Sequence, residues 1–356
     1  MRTNIQQAFP KAITVLPLSR YRFNLQALED IQLPAYSGSA WRGLLGHALK
    51  RTVCVTRERD CRDCLLYRSC VYPYLFETPP APQAQKLRKY PAAPHPFVIE
   101  PWPNCPGAPA QGDLGFDAVL YGRGRHHLPY LVQACMQMGR RGIGRGQGRF
   151  ELQSVDQEVE EQGWQEIFRP QGRLQPLETD ISRIPPCPSG GRLRLVLLTP
   201  LRLKRDEHLV TPELFGFRDF FANLLRRISL LTYFHAGEDL DVDFRALIAT
   251  AAEVPLAAAQ LHWHDWTRYS SRQETTMQLG GLLGWFALEA DMLAPFWPYL
   301  WLGQWTHAGK ATSMGLGRYR IEPDAPAAAT LGSESTATAT SLPSAVNSSI
   351  CGKLAS

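Results

Sequence analysis

A chain of 356 residues, 44% apolar and 20% charged, has an ordinary globular composition and enough length for two cores. No run reaches the roughly 18 consecutive apolar residues of a membrane helix. The start also lacks the basic, apolar and small-residue order of a secretory signal, so no membrane partner and a cytoplasmic location are expected. The net charge of +5 is uneven: residues 1–150 carry 20 Lys+Arg against 9 Asp+Glu, and residues 151–190 carry 3 against 8. A basic N-terminal part suits a polyanionic partner.

In chain order, Ile13–Leu25 alternates as a strand, and Ser39–Val53 reads as a helix with Leu44, Leu45, Ala48 and Leu49 on its apolar side. A cysteine-bearing loop and a proline-rich stretch with the strand-like Phe97–Ile99 follow. Asp113–Tyr121 is a strand, His127–Met138 a helix, and glycines from Gly139 to Gly148 lead into the strand Arg149–Val155. The stretch 157–191 is acidic and then rich in Pro and Gly, which predicts a linker after a first domain over 1–156.

The same order then recurs. Arg192–Leu203 alternates as a strand, and Thr211–Phe234 reads as a long helix with Thr211 as N-cap and Pro212 at its first position. Gln260–Arg272 and Thr276–Glu289 pair as a hairpin, Met292–Trp305 is helical, and Gly317–Ile321 closes as a strand. Trp297, Trp301 and Trp305 recur at helical spacing, which favours core over an RNA platform. Both halves therefore read β-α-β-β-α-β. The expected class is α+β, with two tandem ferredoxin-like (RRM-like) domains, the second over 192–322. The segment 323–356 collapses to Ala, Thr and Ser, the composition of a disordered tail.

Four cysteines, Cys54, Cys61, Cys64 and Cys70, fall close together in the first half. The Cys-x2-Cys core suits one tetrahedral zinc closed by four thiolates, a structural and not a catalytic site, within an insertion spanning 54–76. Disulfides, free thiols or a cluster are the competing accounts.

The run from His307 to Tyr319 holds Gly309, Lys310, Thr312, Ser313, Gly315 and Gly317. These residue types suit phosphate oxygens, yet the run leads from a helix into a strand, the reverse of a nucleotide-binding P-loop. Its counterpart in the first half carries Arg140, Arg141, Arg145 and Arg149.

Paired glycine-rich loops on tandem ferredoxin-like units resemble the RAMP superfamily. Four stretches sharpen this to the CRISPR-associated endoribonucleases that process precursor CRISPR RNA: His307–Tyr319, Trp266–Gly284, Ser37–Gly46 and the cysteine insertion ending Tyr74-Leu75-Phe76-Glu77. The last is similar to a zinc-bearing branch. The resemblance implies a CRISPR repeat RNA stem-loop as substrate, with other CRISPR effector subunits as further partners. It implies cleavage without a catalytic metal, by attack of a 2′-hydroxyl, leaving a 2′,3′-cyclic phosphate and a 5′-hydroxyl. The alternative is a non-catalytic RNA-holding subunit of the same fold, and a zinc-ribbon adaptor is a third reading.

Such chemistry needs a proton acceptor, a proton donor and positive charge. His47 lies on the first helix, where family members often place the catalytic histidine, with Lys50 three residues on and Tyr36 just before the helix. A packed or exposed structural histidine is the competing account for His47. His307, opening the glycine-rich run beside Lys310, is the rival, with helix capping as its competing role. The loop arginines, with Arg268 and Arg272 of the hairpin, are the expected RNA contacts, and Gly309, Lys310, Thr312, Ser313, Gly315 and Gly317 their C-terminal counterpart.

Overall fold

The structure is a computed structural model that describes residues 16–87, 92–104, 110–178, 181, 183–270 and 275–324. The start of the expected first strand, Arg272, Cys105 and the tail from 325 onward lie outside the described residues.

The first half runs β1 (Leu18–Ala27), α1 (Gly38–Val53), β2 (Phe97–Pro101), β3 (Asp113–Tyr121), α2 (Leu128–Met138), β4 (Phe150–Val159) and β5 (Gly163–Phe168). Its antiparallel sheet has the order β2-β3-β1-β4-β5. Alternation drives the arrangement: Tyr21, Phe23 and Leu25 turn inward, while Arg20, Arg22 and Asn24 turn to the other face. The inward set meets Trp41, Leu45 and Leu49 of α1 and Leu131 and Met138 of α2 in one core. Pro129 starts α2, where a missing N–H is harmless.

The second half runs β6 (Arg192–Leu201), a two-residue hairpin of β7 (Lys204–Arg205) and β8 (His208–Leu209), then α3 (Phe217–Leu231) and α4 (Phe244–Ala252). The hairpin β9 (Ala258–Ser270) and β10 (Thr275–Glu289), α5 (Trp297–Thr306) and β11 (Tyr319–Pro323) complete it. Its sheet order is β11-β6-β10-β9. Numbered within each half, the fourth strand lies beside the first, the first beside the third and the third beside the second. Both sheets therefore carry the ferredoxin-like order, and the first adds β5 at its edge.

The halves share a core. Leu18, Val98, Val119 and Tyr121, on the second face of the first sheet, join the cluster built by Phe220, Leu224, Phe286 and Leu300. One face of the first sheet is thus closed by its own helices and part of the other by the second half.

Three expectations are corrected. The acidic stretch opening the expected linker is instead strand: β4 runs to Val159, and β5 pairs with it from Gly163 to Phe168. Polar residues there satisfy an edge strand with one wet side, a pattern that also reads as linker. The long helix expected from Thr211 is broken, because Pro212–Leu214 is a separate short turn and Gly216, in extended conformation, starts α3. The helix α4, capped by the Asp243 side chain on the Ala246 N–H, was not expected at all. At the C-terminus, β11 extends to Pro323 and Asp324 pairs with Arg194, so the expected tail begins later than 323.

Candidate active site

The C-terminal glycine-rich loop, expected to face RNA, lies in the seam between the halves. Thr312, Gly315 and Gly317 are buried, Gly309 and Ser313 are half-buried, and Lys310 is exposed. The loop closes on the start of α1, where a Cβ at Gly38 would sit 2.0 Å from the Met314 carbonyl oxygen. No side chain fits there, so the glycine is required by packing. The Tyr36 hydroxyl donates to the same carbonyl at 2.8 Å, its ring packs against Trp266 at 5.1 Å, and Arg42 donates to Ser313 Oγ at 3.2 Å. Burial, then the nearby Glu100 carboxylate, hold the Tyr36 phenol well above its ordinary pKa. It is a hydrogen-bonded seam residue that resists ionisation.

His307 ends α5 and is wholly buried. Its Nε2 lies 2.9 Å from Glu100 Oε1 and its Nδ1 3.1 Å from the Leu316 carbonyl oxygen. Glu100, on β2, also takes Arg20 at 2.6 Å and Arg318 at 3.4 Å. Burial opposes its charge, but Arg20, Arg318 and His307 together hold its carboxyl far below the usual range. Burial pushes the His307 pKa down, against the upward pull of Glu100. The ring joins a β2 carboxylate to a C-terminal loop carbonyl and offers no face to a ligand.

His235 and His95 are likewise structural. His235 accepts from the Tyr74 hydroxyl at 3.2 Å and donates to the Pro94 carbonyl at 2.7 Å, and burial lowers its pKa to about 4. His95 takes Arg42 at 3.0 Å on Nε2 and donates from Nδ1 to Thr78 Oγ1 at 2.7 Å; burial and then Arg42 lower it to about 3. Both depressed values belong to bases, so the unfolded chain takes up these protons near pH 6.5 while the folded chain refuses them. Stability should therefore be whole above about pH 6.5 and fall with acidification, by about 1.4 kcal/mol per pH unit from His235 and less from the half-buried His95. Denaturant midpoints at pH 7.5, 6 and 5 check this, and a flat profile contradicts it.

The outer face of α1 is different in kind. His47 is exposed, and Arg51 follows four residues later on the same face. Burial and then the like charge of Arg141 depress the Arg51 guanidinium. Arg140, Arg141 and Arg145 are exposed, and among the described residues no ion pair engages them. Their loop is shaped by backbone contacts: Gly144 has φ +76, and a Cβ there would sit 2.1 Å from the Gln32 carbonyl oxygen. Arg145 donates its N–H to that same carbonyl. Arg149, expected to grip phosphate, is paired with Glu29 at 2.6 Å. Arg51 was missed by sequence reasoning, although its spacing from His47 was readable.

The expected set therefore comes apart. Tyr36 lies before α1, and His47 stands roughly 14 Å further along the helix axis from its start. Lys50 turns to the cysteine lobe, donating to the Arg59 carbonyl at 3.2 Å and lying 5.5 Å from the Tyr72 ring centroid. Arg268 lies on β9, and its side chain is outside the described residues, as is all of Arg272.

The four cysteines are free and line one cavity, with room for the centre of a water-sized sphere over about 20 Å³. The Leu66 N–H donates to Cys64 Sγ at 3.4 Å, and Thr56 Oγ1 lies 3.2 Å from it. Among the described residues, no three His, Cys, Asp or Glu side chains are gathered as an ion site. The thiols share a cavity without converging on a point. No helix of the described residues is long and apolar enough to cross a membrane.

Fold and surface together define an α+β protein of the RRM-like ferredoxin kind with a basic flank beside an exposed histidine. Residues 195–319 match the family model of the CRISPR-associated endoribonuclease Cas6, and residues 16–179 match a model described as an N-terminal domain. The chain thus carries a Cas6 domain and is recognised as a CRISPR-associated endoribonuclease. Among solved structures it resembles a Cas6 product complex, at TM-score 0.53 and 16% identity over 86% of this chain and 100% of that one. It also resembles Thermus thermophilus Cas6, at TM-score 0.48 and 14% identity over 86% of this chain and 99% of that one. A partial Cas6-RT-Cas1–Cas2 complex matches at TM-score 0.47 and 12% identity, over 87% of this chain and 46% of that one. No curated protein matches the chain.

Proposed function

We propose that the protein cleaves CRISPR repeat RNA in precursor transcripts, by attack of a 2′-hydroxyl on the adjacent phosphate and without a catalytic metal. The observation that carries this reading is His47 on the outer face of α1, one turn from Arg51 and beside arginines without a counter-charge. Uncompensated guanidiniums of this kind suit a phosphate backbone. His47 is the proton-transferring group, and Arg51 with Arg141 steadies charge on the phosphate in the transition state. Products are a 2′,3′-cyclic phosphate and a 5′-hydroxyl. Tyr36 and His307 act through the seam, holding the glycine-rich loop against α1, and Lys50 ties the helix to the cysteine lobe. The assay is brief incubation with labelled repeat RNA in EDTA. Cleavage to a cyclic-phosphate end is expected, and a 2′-deoxy nucleotide at the scissile position should abolish it. Tight binding without cutting would leave an RNA-holding subunit and sink the enzyme reading.

The thiolate donor set of Cys54, Cys61, Cys64 and Cys70 suits zinc, and these four would hold it as a structural ion that closes the lobe. Metal analysis should find about one zinc per chain. The Cys61→Ser/Cys64→Ser double variant should aggregate; a metal-free wild type, or a fully stable double variant, removes the ion from the account.

A further inference from the structure

We infer that the cysteine lobe is a second RNA-contacting element, which takes unpaired nucleotides flanking the folded repeat. The inference rests on the proposed endoribonuclease reading and extends it to a surface remote from the seam. Val55 and Leu65 are 76% and 86% exposed, the highest values among the exposed large hydrophobic residues described. Val55 lines the cysteine cavity, and Leu65 lies between Cys64 and Leu66, which also line it. Two aliphatic side chains thus stand in water on a framework of thiols, with no core to pack against.

Around them the charge is positive. Arg57 and Arg59 are exposed, and among the described residues no ion pair engages either, whereas Arg62 is held by Asp60 at 2.5 Å. The Arg59 carbonyl accepts the Lys50 ammonium, which fixes that part of the loop to α1. Arg51, three residues before Cys54, is within reach of the Arg141 charge, so the lobe continues the basic flank without a break. The acidic ribbon of β4 and β5 holds six Asp+Glu from Glu151 to Glu166 and no Lys or Arg, so positive charge is not spread evenly over the molecule.

Exposed aliphatic tips among free guanidiniums suit a chain of phosphates carrying bases whose faces are open. A duplex hides those faces in its stack, while a single strand presents them. A basic face alone would accept either form. Val55 and Leu65 are what select the unpaired one.

The test compares a repeat stem-loop with the same stem-loop carrying an unpaired flank. Wild type should bind the flanked RNA several-fold more tightly. Arg57→Gln/Arg59→Gln should remove that advantage and make the slope of log affinity against log salt shallower by about 1.4. Val55→Ser/Leu65→Ser should remove the advantage while leaving the salt slope unchanged. Both variants should cut at the wild-type rate when RNA is saturating. Wild type that cleaves but shows no preference for the flank, or variants that keep it, overturn this inference and leave the endoribonuclease reading intact. Wild type that neither binds nor cuts repeat RNA overturns both. If Val55→Ser/Leu65→Ser changes the oligomeric mass and not RNA affinity, the lobe docks protein and the inference is wrong.

Discussion

Glu100→Ala should destabilise the protein by about 3–5 kcal/mol, the scale for removing one partner of a buried ion pair. The size follows from what stays behind. His307, with no exposed surface, keeps only the Leu316 carbonyl, and Arg318 loses its carboxylate. Arg20 is less affected, because Asp117 at 2.8 Å and Glu158 at 3.3 Å remain. Glu100→Gln keeps the shape and one acceptor, so its loss should be smaller. His307→Ala removes the opposite member, and the Glu100→Ala/His307→Ala double variant should cost less than the two singles added, since they share one network. Denaturant midpoints for the four variants decide this. A Glu100→Ala change below about 1 kcal/mol would show that the seam does not depend on the carboxylate. Because Glu100 and His307 belong to different halves, the same measurement reports how firmly the halves are joined.

Most of the strand and helix order was legible because alternation and helical stripes are local signals. Tyr21, Phe23 and Leu25 on one side of β1, against Arg20 and Arg22 on the other, can be read from the sequence alone. The recurrence of the pattern in both halves carried the fold class with it. β5 was not legible, since an edge strand with a wet side and no apolar run has the composition of a linker. The seam was hidden for a deeper reason. Glu100 and His307 stand 207 positions apart, and nothing in either neighbourhood announces that a strand carboxylate and a helix-ending imidazole will meet. The glycines of the C-terminal loop were visible, but two needs ask for the same residue: backbone approach to a ligand and backbone approach to another element. Only the Met314 carbonyl against Gly38 separates them. His47 was legible as a candidate because it interrupts the apolar face of α1. Lys50 and Tyr36 were grouped with it by sequence proximity, which a helix converts into distance.

His47→Ala should lower the cleavage rate by about 10²–10⁴-fold, the range for loss of a general acid or base, with repeat RNA affinity nearly unchanged. Separation of rate from binding is the decisive feature. Arg51→Ala and Arg141→Ala should weaken binding as well as slow cutting, because a guanidinium contacts the phosphate in the ground state and the transition state alike. His307→Ala should slow cleavage only to the extent that the seam loosens, so lower temperature or a stabilising osmolyte should restore part of its rate, whereas His47→Ala gains nothing from either. His47 is exposed and packs into no core, so a folding defect would not explain its loss. Single-turnover cleavage with enzyme in excess, alongside equilibrium binding, measures both quantities. A His47→Ala protein that cuts at the wild-type rate would move the proton transfer away from α1, and a His307→Ala protein that binds fully, unfolds normally and cannot be rescued would move it into the seam.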